Sequence, residues 1–212
     1  MQQDIQKGCV SFKIVALPEV LTPSIEQVSW AMGRLFRREE VDGLAEPALH
    51  SHLLHHFLSV LSESTIPVQV HIRGEPDVER LGAWAVQYPK VRFVGVYGGW
   101  GNPFSMMVLA RTMPNLAVAV GDLWPVAPQL ARQALRIWVQ GVPLCKLFAC
   151  SGNTTLVEAL CVHTWLAREQ VAALFAEMVA EGVLDEGDAH VAIRHLLYEN
   201  ALSYFDLENQ NA

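Results

Sequence analysis

Charge is sparse in this chain and positive charge sparser still: 17% of residues are charged, and 15 Lys and Arg stand against 22 Asp and Glu, a formal net charge of −7. The basic residues are scattered rather than gathered into a stripe, which argues against a nucleic-acid partner. Cysteine is nearly absent. Cys9, Cys145, Cys150 and Cys161 make no CxxC pair, and some lie inside apolar runs, so they read as small packed side chains in a reduced, cytoplasmic setting. No basic segment followed by an apolar stretch opens the chain, and no apolar run approaches the roughly 20 residues needed to span a bilayer. A soluble protein with no membrane partner is expected. No GxGxxG follows the first strand candidate, which leaves a dinucleotide-binding fold without support. Internal repeats and low-complexity tracts are missing as well.

Apolar residues, at 51% of 212, are plentiful. That suffices for one sizeable core but little more, so residues 1–212 are expected to form one domain. Valine- and isoleucine-rich runs recur at 9–15, 66–72, 91–97, 116–120 and 144–150. Most lack apolar/polar alternation, as strands covered on both faces do. Helical spacing fills the intervals, and the helix ends are readable. Ser24 and Gln27 have capping-box spacing, and Asn102 before Pro103 opens another helix. Pro128 suits a first turn, Gly141 a helix end, and from Thr155 onward the pattern is helical, broken near Gly182 and restarted by Asp185. Alternation of strand and helix implies a parallel sheet with helices outside, a condition that a barrel and an open doubly wound sheet both meet. A full (β/α)₈ barrel typically needs about 250 residues, more than this chain has.

Specific segments carry a family resemblance. IPVQVHIRG at 66–74, entered from LLHHFLSVLSES, resembles the fifth-strand region of amidohydrolase-2-type metal-dependent hydrolases, a group that includes decarboxylases. GCVSFKIVAL at 8–17 is similar to their fourth strand, MPNLAVAV at 113–120 to the seventh, and VPLCKLFACSGN at 142–153 to the eighth. The tail from Ala167, with its Asn200-Ala201 pair and Phe205, resembles the closing helices. The resemblance covers about the last two thirds of a family member. It implies a partial TIM-like (β/α) barrel of about five parallel strands with outer helices and a C-terminal helical cluster. The first three strands, with the His-x-His pair of strand one, have no counterpart here.

The resemblance also implies chemistry. Such enzymes hold Zn²⁺ or another divalent ion with imidazoles and carboxylates at the C-terminal ends of the strands, where the metal lowers the pKa of a bound water. Of those positions, the fifth-strand histidine alone is matched, by His71; Tyr97 stands where many members have a sixth-strand histidine, and Ser151-Gly152-Asn153 where they have an aspartate. His71 is therefore the candidate metal ligand, with a hydrogen-bonded core histidine as the plain alternative. Lys13, which matches a lysine common in relatives, and Asp122, at the rim beyond the seventh strand, are the candidate catalytic groups. The plain alternatives are a packed lysine stem reaching a loop carboxylate and a helix cap. Tyr97, Trp100, Trp124 and Arg73 are the candidate substrate-binding residues; for the tryptophans loop packing is an equal reading. Gly98, Gly99 and Gly101 suit a tight turn. Lys146 lies in an otherwise apolar run, and His52 and His56 share a helix face that reads as solvated or interfacial.

Two functions of different class follow. One is a metal-dependent hydrolase or decarboxylase of small acidic or aromatic substrates, its metal site completed from elsewhere. The other is an inactive barrel remnant serving as a binding or assembly module. In either case five strands leave 9–15 and 144–150 as open edges, so a homo-oligomer or a partner chain covering them is expected.

Overall fold

The computed structural model describes residues 7–40, 45–97, 102–121, 123–151 and 154–208. Strand β1 (Phe12–Ile14) is followed by helices α1 (Ile25–Phe36) and α2 (Ala45–Leu61), then β2 (Val68–Ile72), α3 (Glu75–Gln87), β3 (Phe93–Tyr97), α4 (Pro103–Thr112) and β4 (Leu116–Val120). A short α5 (Leu123–Val126) and α6 (Pro128–Gly141) precede β5 (Leu147–Phe148), and the long α7 (Val157–Ala180) and α8 (Glu186–Arg194) follow. A π-helical turn, His195–Glu199, runs into the last helix, α9 (Asn200–Tyr204). All five strands pair in parallel, in the order β1-β2-β3-β4-β5. The fold is thus an α/β arc of the partial-barrel type.

The helix starts are set by local chemistry. Ser24 Oγ accepts from the Gln27 N–H while Gln27 Oε1 accepts from the Ser24 N–H, a complete capping box. Asn102 Oδ1 caps α4 at the Phe104 N–H, and Asp185 Oδ1 caps α8 at Asp188. Gly182 ends α7 with φ +73, a conformation that costs a residue bearing a Cβ. Gly141, read as lying past the end of α6, belongs to it; a Cβ there would lie 2.2 Å from Met107 Sδ, so its small size lets α6 close against α4. The first and last strands are also shorter than expected. Residues 144–146 form a 3₁₀ turn, from which Lys146 Nζ donates to the carbonyls of Ala110 (3.1 Å) and Met113 (2.7 Å) around the end of α4.

Strand register divides the sheet into two faces. Phe12 and Ile14, Val68, Val70 and Ile72, Phe93 and Tyr97, Leu116, Val118 and Val120, and Leu147 face the helices and form the main core with them. Three buried indoles in this layer pin loops through their N–H groups: Trp84 to the Pro18 carbonyl, Trp124 to Ala149 and Trp138 to Pro103. The inner face carries Val94, Val96, Ala117, Ala119 and Phe148, against which Ala201, Tyr204 and Phe205 pack. Tyr204 donates to the Phe93 carbonyl at 3.1 Å, and burial pushes its phenol above the ordinary value.

The expectation of an open edge fails at β5. Beyond β5, the Ala149 N–H donates to the Leu196 carbonyl (3.0 Å), and Asn200 Nδ2 donates to the carbonyls of Leu144 and Leu147 (2.7 and 2.8 Å). The π-helical turn makes this possible: the Asn200 N–H reaches back to His195, which leaves the Leu196 carbonyl turned toward the strand. At the other side no strand lies beyond β1 among the described residues.

Candidate functional site

The polar residues of the inner face lie on the first two strands. Lys13 is in register with Gln69, and His71 stands two residues further along β2 on the same side of the sheet. Gln69 Nε2 donates to Ser11 Oγ (3.2 Å), whose hydroxyl donates to the Pro67 carbonyl (3.0 Å). His71 is half-buried, and its Nδ1 is enclosed without a hydrogen-bond partner among the described residues. Across the sheet, Val96 is the register neighbour of His71 and Ala119 that of Val96. The sheet thus brings Lys13 and His71 together on one face, with Gln69, which the sequence reading did not single out, between them.

Tyr97 does not join them. Its register partners are Ile72 and Val120, so its side chain enters the helix layer, where it is fully buried and meets Trp138 edge-on at 5.4 Å. Burial raises its phenol above the ordinary value, and the nearby Glu75 charge raises it further. Trp124 is likewise a core residue, held by the Ala149 carbonyl. Arg73 follows β2 and turns to α3: its backbone N–H and Nε both donate to Asp77 Oδ2 (3.0 and 3.1 Å), and Arg80 approaches Asp77 Oδ1 at 3.5 Å. Asp77 is buried, so the two guanidinium groups compensate a charge that would otherwise be costly to enclose. Asp122, Trp100, Gly98, Gly99, Gly101, Gly152 and Asn153 lie outside the described residues.

The histidine-rich helix α2 separates by depth. His52 and His56 are exposed, whereas His55 lies between Tyr88 Oη (2.7 Å from Nδ1) and the Leu21 carbonyl (3.0 Å from Nε2), its ring tilted against Trp84. His50 instead lines a recess of about 800 Å³ between α2 and β1, whose apolar wall includes Leu53, Leu54 and Phe57. That stripe, with His50, has the i, i+3, i+4, i+7 spacing by which the sequence could have revealed it. Lys13 and Arg80 on its rim alternate with Glu19 and Glu46, so the recess is large enough for a small ligand but has no uniform sign of charge.

A divalent ion needs several imidazoles or carboxylates converging at 2.0–2.2 Å or so. Among the described residues no group of three His, Cys, Asp or Glu side chains is so arranged. Around His71 the register neighbours are valine and alanine, and a lysine shares its face. The described residues do not fit a metal centre.

No family model matches the chain, and no curated protein matches it. Solved structures do. Uronate isomerase from Thermotoga maritima superposes with a TM-score of 0.81 at 16% identity, over 96% of this chain and 51% of that one. A protein from Lactobacillus casei, provisionally described as a metal-dependent hydrolase, gives 0.80 at 16% identity, over 100% and 58%. Uronate isomerase from Bacillus halodurans gives 0.70 at 12% identity, over 100% and 51%. The chain therefore spans little more than half the length of the structures it matches. At these identities the likeness shows the fold, a partial (β/α) barrel with a C-terminal helical cluster.

Proposed function

We propose that this chain is an amidohydrolase-like half-barrel acting as a binding and assembly module. The observation that carries this reading is the composition of the inner face: His71 stands among Val96, Ala119 and Lys13, a set that cannot enclose a cation. Metal-dependent hydrolysis or decarboxylation of a small acidic or aromatic substrate would then require ligands from beyond the described residues. The test is metal analysis after equilibration with micromolar zinc, manganese or iron. Metal content well below one per chain, and equal in the His71→Ala variant, is the expected outcome. Stoichiometric metal lost in His71→Ala would overturn it.

One observation favours the enzyme as a second reading. Enclosing an imidazole nitrogen without a partner costs about 1–3 kcal/mol, and such groups often mark a site that something else completes. Support for that reading would be binding of Zn²⁺ at His71, detected by a shift of its imidazole resonances on titration.

A further inference from the structure

Helix α7 is long and unevenly anchored. Its C-terminal half packs on the body through Val171, Leu174, Phe175 and Met178, and two ion pairs one turn apart, Arg132–Glu177 and Arg136–Glu181, tie it to α6. Its first three turns have less cover among the described residues. Val157 is 72% exposed and Trp165 60%, with Leu160, Val162 and the preceding Leu156 also in solvent. At 100° per residue Trp165 points outward with Val157 and Val162 to either side of it, which gives the outer side of this half an apolar character.

The order of residues on this face indicates which partner it fits. Glu158, Cys161, Trp165 and Arg168 are all exposed, and their 3-4-3 spacing places them within an arc of about 80° on the helix. The pattern is complementary to its own reversal. When two such helices run antiparallel about a two-fold axis level with residue 163, Glu158 of each copy meets Arg168 of the other, and the Trp165 ring meets the small Cys161 side chain. Beside Trp165 lies a recess of about 620 Å³, lined by Leu160, Cys161, Thr164, Trp165, Arg168 and Glu169, which can receive the indole of the second copy. Both Glu158 and Arg168 stand exposed to solvent. Like-with-like contact through one patch is what two-fold symmetry demands.

We propose that the N-terminal half of α7 is the interface of a homodimer, with Trp165 as its apolar anchor and Glu158–Arg168 as its paired charges. This goes beyond the assembly reading above by naming the partner as a second copy and the surface it uses. The face of a single half-helix buries less than the roughly 800 Å² per partner of a standard interface, so association in the micromolar range is expected.

Sedimentation equilibrium of the full chain, from low to several hundred micromolar, tests the proposal. A concentration-dependent dimer is expected. Trp165→Ala should abolish it, Arg168→Glu should weaken it by about tenfold or more, and adding Glu158→Arg to Arg168→Glu should restore it. Alkylation of Cys161 should slow as the dimer forms, relative to the exposed Cys145. A monomer at every concentration would overturn the proposal. So would a dimer indifferent to Trp165→Ala and Arg168→Glu, which would place the contact elsewhere, or a double variant that stays dissociated. None of these readouts involves metal at His71, so this proposal and the functional reading can fail separately.

Discussion

An imidazole nitrogen enclosed without a hydrogen-bond partner weakens the fold that holds it, and among the described residues His71 has such a nitrogen. Replacing it with leucine removes the unmet nitrogen and extends the apolar neighbourhood of Val96 and Ala119. His71→Leu should therefore stabilise the chain, by about 1 kcal/mol, seen as a higher urea midpoint at unchanged slope. A midpoint that falls would show that the ring makes a contact of value. Tyr97 shows where sequence reading stops at this scale. Its strand, FVGVY, is buried at every position. With no alternation along it, nothing in the sequence says which residues face the helices and which face inward. Register alone decides, and it assigns Tyr97 to the helix side and Val96 to the side of His71.

Most helix boundaries, that at Gly141 excepted, were legible because they rest on short-range chemistry: the Ser24–Gln27 box, the Asn102 and Asp185 caps and the break at Gly182 are all formed. One contact near α4 was not legible. Glu75, at the start of α3, accepts from the Asn102 N–H at 3.0 Å and from Ser105, and these hydrogen bonds, the Ser105 one foremost, hold its carboxyl below the ordinary 4.5. A carboxyl depressed in the folded state contributes stability above its unfolded pKa and loses it as pH falls through the folded value. Acidification below about pH 4.5 should thus weaken the wild type more than Glu75→Gln, a difference measurable as converging denaturation midpoints. Asn200 works across a longer span. Its amide serves one carbonyl of β5 and one of the 3₁₀ turn before it, so Asn200→Ala should cost about 2–3 kcal/mol, read from the same denaturation curves. The resemblance drew attention to the Asn200-Ala201 pair. Its task, closing the β5 edge from 53 residues away, depends on a π-helical turn that has no sequence signal.

At the scale of the molecule, the sequential parallel sheet followed from the alternation of apolar runs and helical segments, and the structure has that order. The closure of its inner face did not follow, because nothing in the pattern of the terminal helices says that Tyr204 and Phe205 turn onto the sheet. Removing the chain after Glu199 would uncover Val94, Val96, Ala117, Ala119 and Phe148 together and reopen β5. Such a truncated protein should bind a hydrophobic dye strongly and aggregate at concentrations where the full chain stays clear. The same contact sets a timetable for biosynthesis. Because each strand pairs only with its immediate predecessor and successor, the sheet can be laid down in the order in which the ribosome delivers it. Phe93 must nevertheless wait 111 residues for Tyr204, so a nascent chain carries these five strands with a wet apolar face until α9 emerges. Translation speed over the α7–α9 segment, and any holdase that shields the face in that interval, should therefore govern yield more than the stability of the finished fold does.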